Sequence, residues 1–131
     1  MSDARVRVGL IGLGNNMLSH VGRLVQMADV EIVGACDPIA DMRDRVHDRY
    51  PVLAGMPTFA THEELLAQVA PEAVVISTPH AFHCQQVIDA LGAGAHALVE
   101  KPMVNSVREA NEVIRAREAS GKVVMVSYQR H

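Results

Sequence analysis

Gly9-Leu10-Ile11-Gly12-Leu13-Gly14-Asn15-Asn16-Met17 decides the fold of this 131-residue chain. The stretch closes the apolar run that starts at Val6 and leads into a segment where Leu18, Val21 and Val25 recur at helical spacing. Strand, glycine turn and helix in that order make a cradle for an anion. Gly12 permits the tight turn, Gly14 lets the backbone approach a pyrophosphate, and the helix N-terminus offers N–H groups and the positive end of its dipole. Asn15 and Asn16 occupy the first helical turn and are candidate contacts to the same ligand. Met17 stands where this motif usually carries a third glycine for close helix–strand packing. Either the helix is displaced slightly or the methionine points along the pyrophosphate groove as a cofactor contact. Weakened or re-shaped cofactor binding is expected, not its loss.

Working outward, the second apolar run, 30–36, ends at Asp37, which lies 23 positions after Gly14. That is near the roughly 20 expected of the acidic residue that hydrogen-bonds a ribose 2′-hydroxyl. A carboxylate there repels a 2′-phosphate. Pro38 follows it, and no Arg, Lys or Ser stands beside it, so NAD is expected and NADP is less suited. Asp37 can also cap a helix with Pro38 in its first position, which is compatible with ribose binding. Arg43 and Arg45 lie a turn or more into that helix and are expected to face solvent.

Strand-like runs fall at 6–11, 30–36, 58–60, 73–77, 96–99 and 123–126, mostly as continuous apolar stretches suited to strands buried on both faces. Helical stripes alternate with them. Ile39, Met42, Val46 and Tyr50 form one that Pro51 ends, and Cys84, Val87, Ile88 and Leu91 form another with Gly92 as its cap. Thr61-His62-Glu63-Glu64 and Ser106-Val107-Arg108-Glu109 read as capping boxes. The fold class is therefore α/β, a Rossmann-type doubly wound, mainly parallel six-stranded sheet with helices on both faces. One domain spans 1–131. The last run stops in Ser127-Tyr128-Gln129-Arg130-His131, as at a seam between domains.

Composition narrows the partners. A formal net charge of −3 leaves no basic excess to neutralise a nucleic acid. No apolar stretch approaches the roughly 18 residues of a membrane span, so a soluble, cytoplasmic chain without a membrane partner is expected. Cys36 and Cys84 form no CxxC pair and read as buried free thiols. His80 and His83 lack further ligands at zinc spacing, so no metal is expected. His20, His47, His62 and His96 read as helix-surface or loop residues.

Two further stretches are more specific: Ser77-Thr78-Pro79-His80-Ala81-Phe82-His83 and Glu100-Lys101-Pro102. With Gly12, Gly14 and Asp37 they resemble the N-terminal domain of the glucose-fructose oxidoreductase and inositol dehydrogenase family over residues 6–130. The resemblance implies that Ser77, Thr78, Pro79 and His83 lie along the cofactor, with His80 at a position where an Asn is common. It implies that Glu100 is a cofactor contact, that Lys101 reaches the nicotinamide and the substrate oxygen, and that Gln129 touches the nicotinamide. Hydride transfer to a carbonyl builds negative charge on its oxygen, which an ammonium stabilises and can protonate. For Lys101 to act in both directions its pKa must fall from about 10.4, a change that Glu100 opposes if it points inward.

The implied reaction is NAD-dependent oxidation of a secondary alcohol of a sugar, cyclitol or related polyol. Family members carry a further, mostly antiparallel α/β domain after the position of His131, which supplies most of the substrate pocket and a dimer surface. A homo-oligomer is thus expected of the full-length protein, and cofactor binding with little or no turnover of the 131 residues alone. A non-catalytic NAD-sensing module is the alternative of another class. A methyltransferase using S-adenosylmethionine shares the glycine turn but gives no account of Glu100-Lys101-Pro102.

Overall fold

Short apolar runs become strands where the sequence carries them: β1 (Val6–Ile11), β2 (Val30–Cys36), β3 (Thr58–Phe59), β4 (Ala73–Ile76), β5 (His96–Glu100) and β6 (Val124–Ser127). This computed structural model describes residues 5–100 and 106–127, without the side chains of His80 and Ser127. The strands form one sheet in the order β3-β2-β1-β4-β5-β6, and every pairing is parallel. Parallel neighbours need crossovers, and five helices supply them: α1 (Asn15–Leu24), α2 (Ala40–Arg49), α3 (His62–Val69), α4 (His83–Gly92) and α5 (Val107–Ser120).

The helices divide between the faces. Along β4, Val74 and Ile76 join the core under α3, α4 and α5, while Val75 joins the core under α1 and α2. Successive residues therefore bury on opposite faces, which is why the run reads as continuously apolar. At about 1.5–3 kcal/mol for each buried Val, Leu or Ile side chain, this two-sided burial holds most of the helices in place.

Helix α2 buries only Val46, as the longer α5 buries only Val113. A helix of about ten residues is marginal in water without such a face, so its polar tethers matter. Arg43 Nη1 donates to the Asp37 carbonyl at 2.6 Å and Arg45 Nη2 to the Leu13 carbonyl at 2.9 Å. His47 Nε2 donates to the Met56 carbonyl at 2.9 Å, and the Tyr50 hydroxyl to the Leu18 carbonyl at 2.7 Å. The two arginines thus turn back onto the glycine turn and the end of β2 instead of facing solvent.

Both capping residues act as expected at the backbone: the hydroxyls of Thr61 and Ser106 accept from the N–H groups of Glu64 and Glu109 at 3.2 and 3.1 Å. Gly92 is the last residue of α4 and not its cap, which is Ala93. The reversal falls at Gly94, whose φ of +88° suits a residue without Cβ. Asp37 accepts from Ile39 N–H at 2.9 Å, but α2 starts at Ala40, so Pro38 lies before the helix and not in its first position.

Candidate cofactor cleft

Strands β1 and β4 are neighbours from which the chain winds outward in opposite directions, and a crevice opens there at the carboxyl edge. Gly12 forms the turn at φ +89°. A Cβ on it would lie 2.4 Å from the Ser77 carbonyl oxygen and 2.6 Å from Thr78 Cγ2, so the approach of the loop after β4 demands glycine. At Gly14 a Cβ would meet nothing within 4 Å, because the residue faces open space. Helix α1 begins directly after it with no side-chain cap and no acid in its first turn. Its leading N–H groups are left for a ligand.

The turn is tied down from β2 and α2. Gly12 N–H donates to the Cys36 carbonyl and Leu13 N–H to Asp37 Oδ2, both at 2.9 Å, while Arg45 bonds the Leu13 carbonyl and, at 3.1 Å, Asn15 Oδ1. Arg45 was not legible as a site residue, since nothing local marks a helical arginine that folds back across 32 positions.

Two clefts share Gly14, Ser77, Thr78 and Pro79. The first, about 410 Å³, runs past Asp37, Pro38, Ile39 and Phe82 and also touches His62 and Glu63. Its lining contains no Lys or Arg among the described residues. Each Asp37 oxygen accepts one backbone N–H and retains a lone pair for a further donor. The second cleft, about 350 Å³, continues past Asn15, Asn16 and His83 to Glu100.

Within the shared loop, the Thr78 hydroxyl donates to Gln86 Oε1 at 2.6 Å, and His83 Nε2 donates to the Thr78 carbonyl at 2.7 Å. His83 is 1% exposed and braces the loop from behind. The backbone of His80 opens a short 3-10 turn that ends at Phe82.

Three expectations need correction. Met17 is fully buried with Leu10, Leu13, Val21 and Val46 and lines neither cleft, because its position in α1 faces the sheet. It does not point along the groove. His20 is buried rather than superficial, with Nε2 3.0 Å from Glu100 Oε1 and Nδ1 2.9 Å from Arg23 Nη2. Asn16 Nδ2 donates to the other Glu100 oxygen at 3.3 Å. His62 likewise sits between Asp89, at 2.8 Å, and Glu63, at 3.3 Å, and the ligand atoms of these three lie within 4.8 Å of one another. His47 is tethered as described, and His96 Nδ1 accepts from Val123 N–H at 3.0 Å. Partners that come from distant elements leave no mark on local spacing.

Both thiols are free and buried. Burial pushes Cys36 up to about 12 and also raises Cys84, so neither is a ready nucleophile. Lys101 and Gln129 lie outside the described residues. Among the described residues no helix is long and apolar enough to cross a membrane.

A parallel sheet in this strand order, with a glycine turn at the helix N-terminus and an acid closing the second strand, defines a dinucleotide-binding Rossmann domain. The chain belongs to the oxidoreductase family with an NAD-binding Rossmann fold that includes glucose-fructose oxidoreductase and inositol dehydrogenase, matching it over residues 6–128. A "Glycosyl hydrolase family 109 protein 1" of Akkermansia muciniphila is 32% identical over 130 residues, covering 93% of this chain and 27% of the relative. An "Alpha-N-acetylgalactosaminidase" of Shewanella oneidensis is 33% identical over 129 residues, covering 92% and 28%. The WlbA dehydrogenase from Bordetella pertussis, solved in complex with NADH and UDP-GlcNAcA, superposes with a TM-score of 0.87 at 27% identity, covering 97% of this chain and 36% of that one. The chain thus spans less than a third of these curated relatives.

Proposed function

We propose that this chain holds NAD across the two joined clefts and is the cofactor part of an oxidoreductase acting on a secondary alcohol of a sugar, cyclitol or related polyol. One observation carries the reading: the clefts share Gly14 and residues 77–79, and carboxylates line both, Asp37 and Glu63 in the first and Glu100 in the second. Gly14 and the first turn of α1 receive the pyrophosphate. Asp37 accepts from the adenosine ribose, and the apolar walls of Pro38, Ile39 and Phe82 suit a planar base. With acids and no Lys or Arg among the described residues that line that cleft, a 2′-phosphate is disfavoured, hence NAD over NADP. Ser77, Thr78, Pro79 and Glu100 line the path to the nicotinamide, with His83 bracing it.

The bound nicotinamide supplies or takes up the hydride. Lys101, next in the chain to Glu100, is the residue assigned to the substrate oxygen, where its ammonium stabilises developing negative charge and exchanges the proton. Gln129 is assigned to the nicotinamide. The sugar class is supported by relatives named for sugar chemistry or solved with a sugar nucleotide. Those names also favour a second reading, in which the same cofactor domain serves an enzyme that cleaves a glycosidic bond.

Titration of the chain with NADH and NADPH, wild type against Asp37→Ala, tests the cofactor assignment. Equal affinity of the wild type for both would sink it. In a protein that also carries a substrate-binding domain, Lys101→Ala is expected to lower turnover about 10²–10⁴-fold while NADH binding persists. A sensing module has no such turnover to lose. Stoichiometric NADH formation marks a dehydrogenase, whereas release of free sugar without NADH marks the second reading. The 131 residues alone are expected to bind NADH without sugar-dependent NAD reduction.

A further inference from the structure

Glu100 is a buried carboxylate on the wall of a cleft that, on the reading above, takes an anionic dinucleotide. Left mobile there, it would be a source of repulsion. It is held instead by a single stripe of α1, since Asn16, His20 and Arg23 follow one another at spacings of four and three and so share one helix face. Asn16 Nδ2 reaches Oε2 at 3.3 Å and His20 Nε2 reaches Oε1 at 3.0 Å.

The tautomer of His20 follows from the third member. A guanidinium can only donate, so the 2.9 Å contact from Arg23 Nη2 makes Nδ1 of His20 an acceptor. The ring proton then sits on Nε2 and points at Glu100. Exposed Arg23 thereby sets the direction of a hydrogen bond at the buried end of the chain of contacts.

We propose that His20 is a positioning residue for the nicotinamide half of the cleft. With its tautomer set by Arg23, it fixes Glu100 as an oriented acceptor for the hydroxyl groups of the nicotinamide-side ribose. This rests on the reading of the clefts as an NAD site. Without His20, Glu100 keeps, among the described residues, only the longer contact from Asn16.

The test uses the 131-residue chain and two probes, NADH, which spans both clefts, and ADP, which ends at the pyrophosphate. His20→Ala is expected to weaken NADH about tenfold and ADP less than about twofold. His20→Gln, which keeps a donor for Glu100, is expected to regain most of the loss. Arg23→Ala, at an exposed position outside both cleft linings, is expected to weaken NADH about threefold. Long-range ¹H–¹⁵N spectra should then show His20 moving from the Nε2–H form alone to a mixture of tautomers. Equal weakening of NADH and ADP, no recovery in His20→Gln, or an unchanged tautomer in Arg23→Ala would each overturn the role. Wild-type chain that binds ADP but not NADH overturns the NAD reading and the role together. Normal NADH binding by both wild type and His20→Ala overturns the role alone.

Discussion

At the Asp37 end of the cleft the backbone holds the carboxylate, through the N–H groups of Leu13 and Ile39. At the Glu100 end side chains hold it, through His20 and Asn16 on a helix 80 or more positions away in sequence. Backbone donors survive almost any substitution of the residues that bear them, whereas a side-chain donor is lost with its residue. The two ends should therefore respond differently to mutation of their neighbours, and Gly12, which lies between them, should affect both.

The largest effect is expected at that hub. Gly12→Ala places a Cβ 2.4 Å from the Ser77 carbonyl at a φ of +89°, so the turn and the loop after β4 must move apart. Urea unfolding should show a loss of about 3 kcal/mol or more, and titration should show no measurable binding of NADH or ADP. Retention of ADP binding would mean that the ends do not share this turn as a support. Next, Asp37→Ala removes the backbone-held acid itself. NADH should weaken about tenfold and the preference for NADH over NADPH should shrink, as measured by parallel titrations. An undiminished preference would move the source of discrimination away from β2.

Arg45→Met sharpens the comparison further. It removes the donor to the Leu13 carbonyl but leaves Leu13 N–H on Asp37. The Nε of Arg45 is a buried donor without a partner among the described residues, which already discounts part of what the side chain contributes. The expected loss is about 1 kcal/mol in urea unfolding, with NADH affinity falling no more than about threefold. A collapse of binding would show that the backbone-held end depends on a side chain after all.

The same distinction explains what the sequence displayed and what it hid. Gly12, Gly14 and Asp37 were readable because their roles follow from backbone conformation and from the ends of adjacent strands, which local spacing reports. The alternating runs and the Thr61 and Ser106 caps were readable for the same reason. The direction of Met17 was not, since a buried and a groove-facing side chain at that position have the same neighbours in sequence. Nor was the fold-back of Arg43 and Arg45, because a charged helix with one buried valine resembles any solvated helix. The pairing of His20 with Glu100 depends on the β5 end reaching α1 across the sheet. That contact exists only once the strand order is known.

The smallest effect is expected where a side chain at the Asp37 end is changed but its backbone bond is kept. Cys36 accepts Gly12 N–H through its carbonyl, at 2.9 Å, while its thiol points into the core. Burial, above all, lifts the thiol from 9.0 to about 12. A folded state that keeps the proton more tightly than the unfolded chain is favoured fully below pH 9.0, and that contribution is lost as pH rises toward about 12. Cys36→Ala removes the titrating group and leaves the carbonyl in place. Melting temperature should then decline less steeply above pH 9.0 than in the wild type, while NADH affinity at neutral pH stays within about twofold. An equally steep decline would assign the alkaline loss to other groups. A clear drop in NADH affinity would show that the thiol, and not only the backbone of β2, supports the glycine turn.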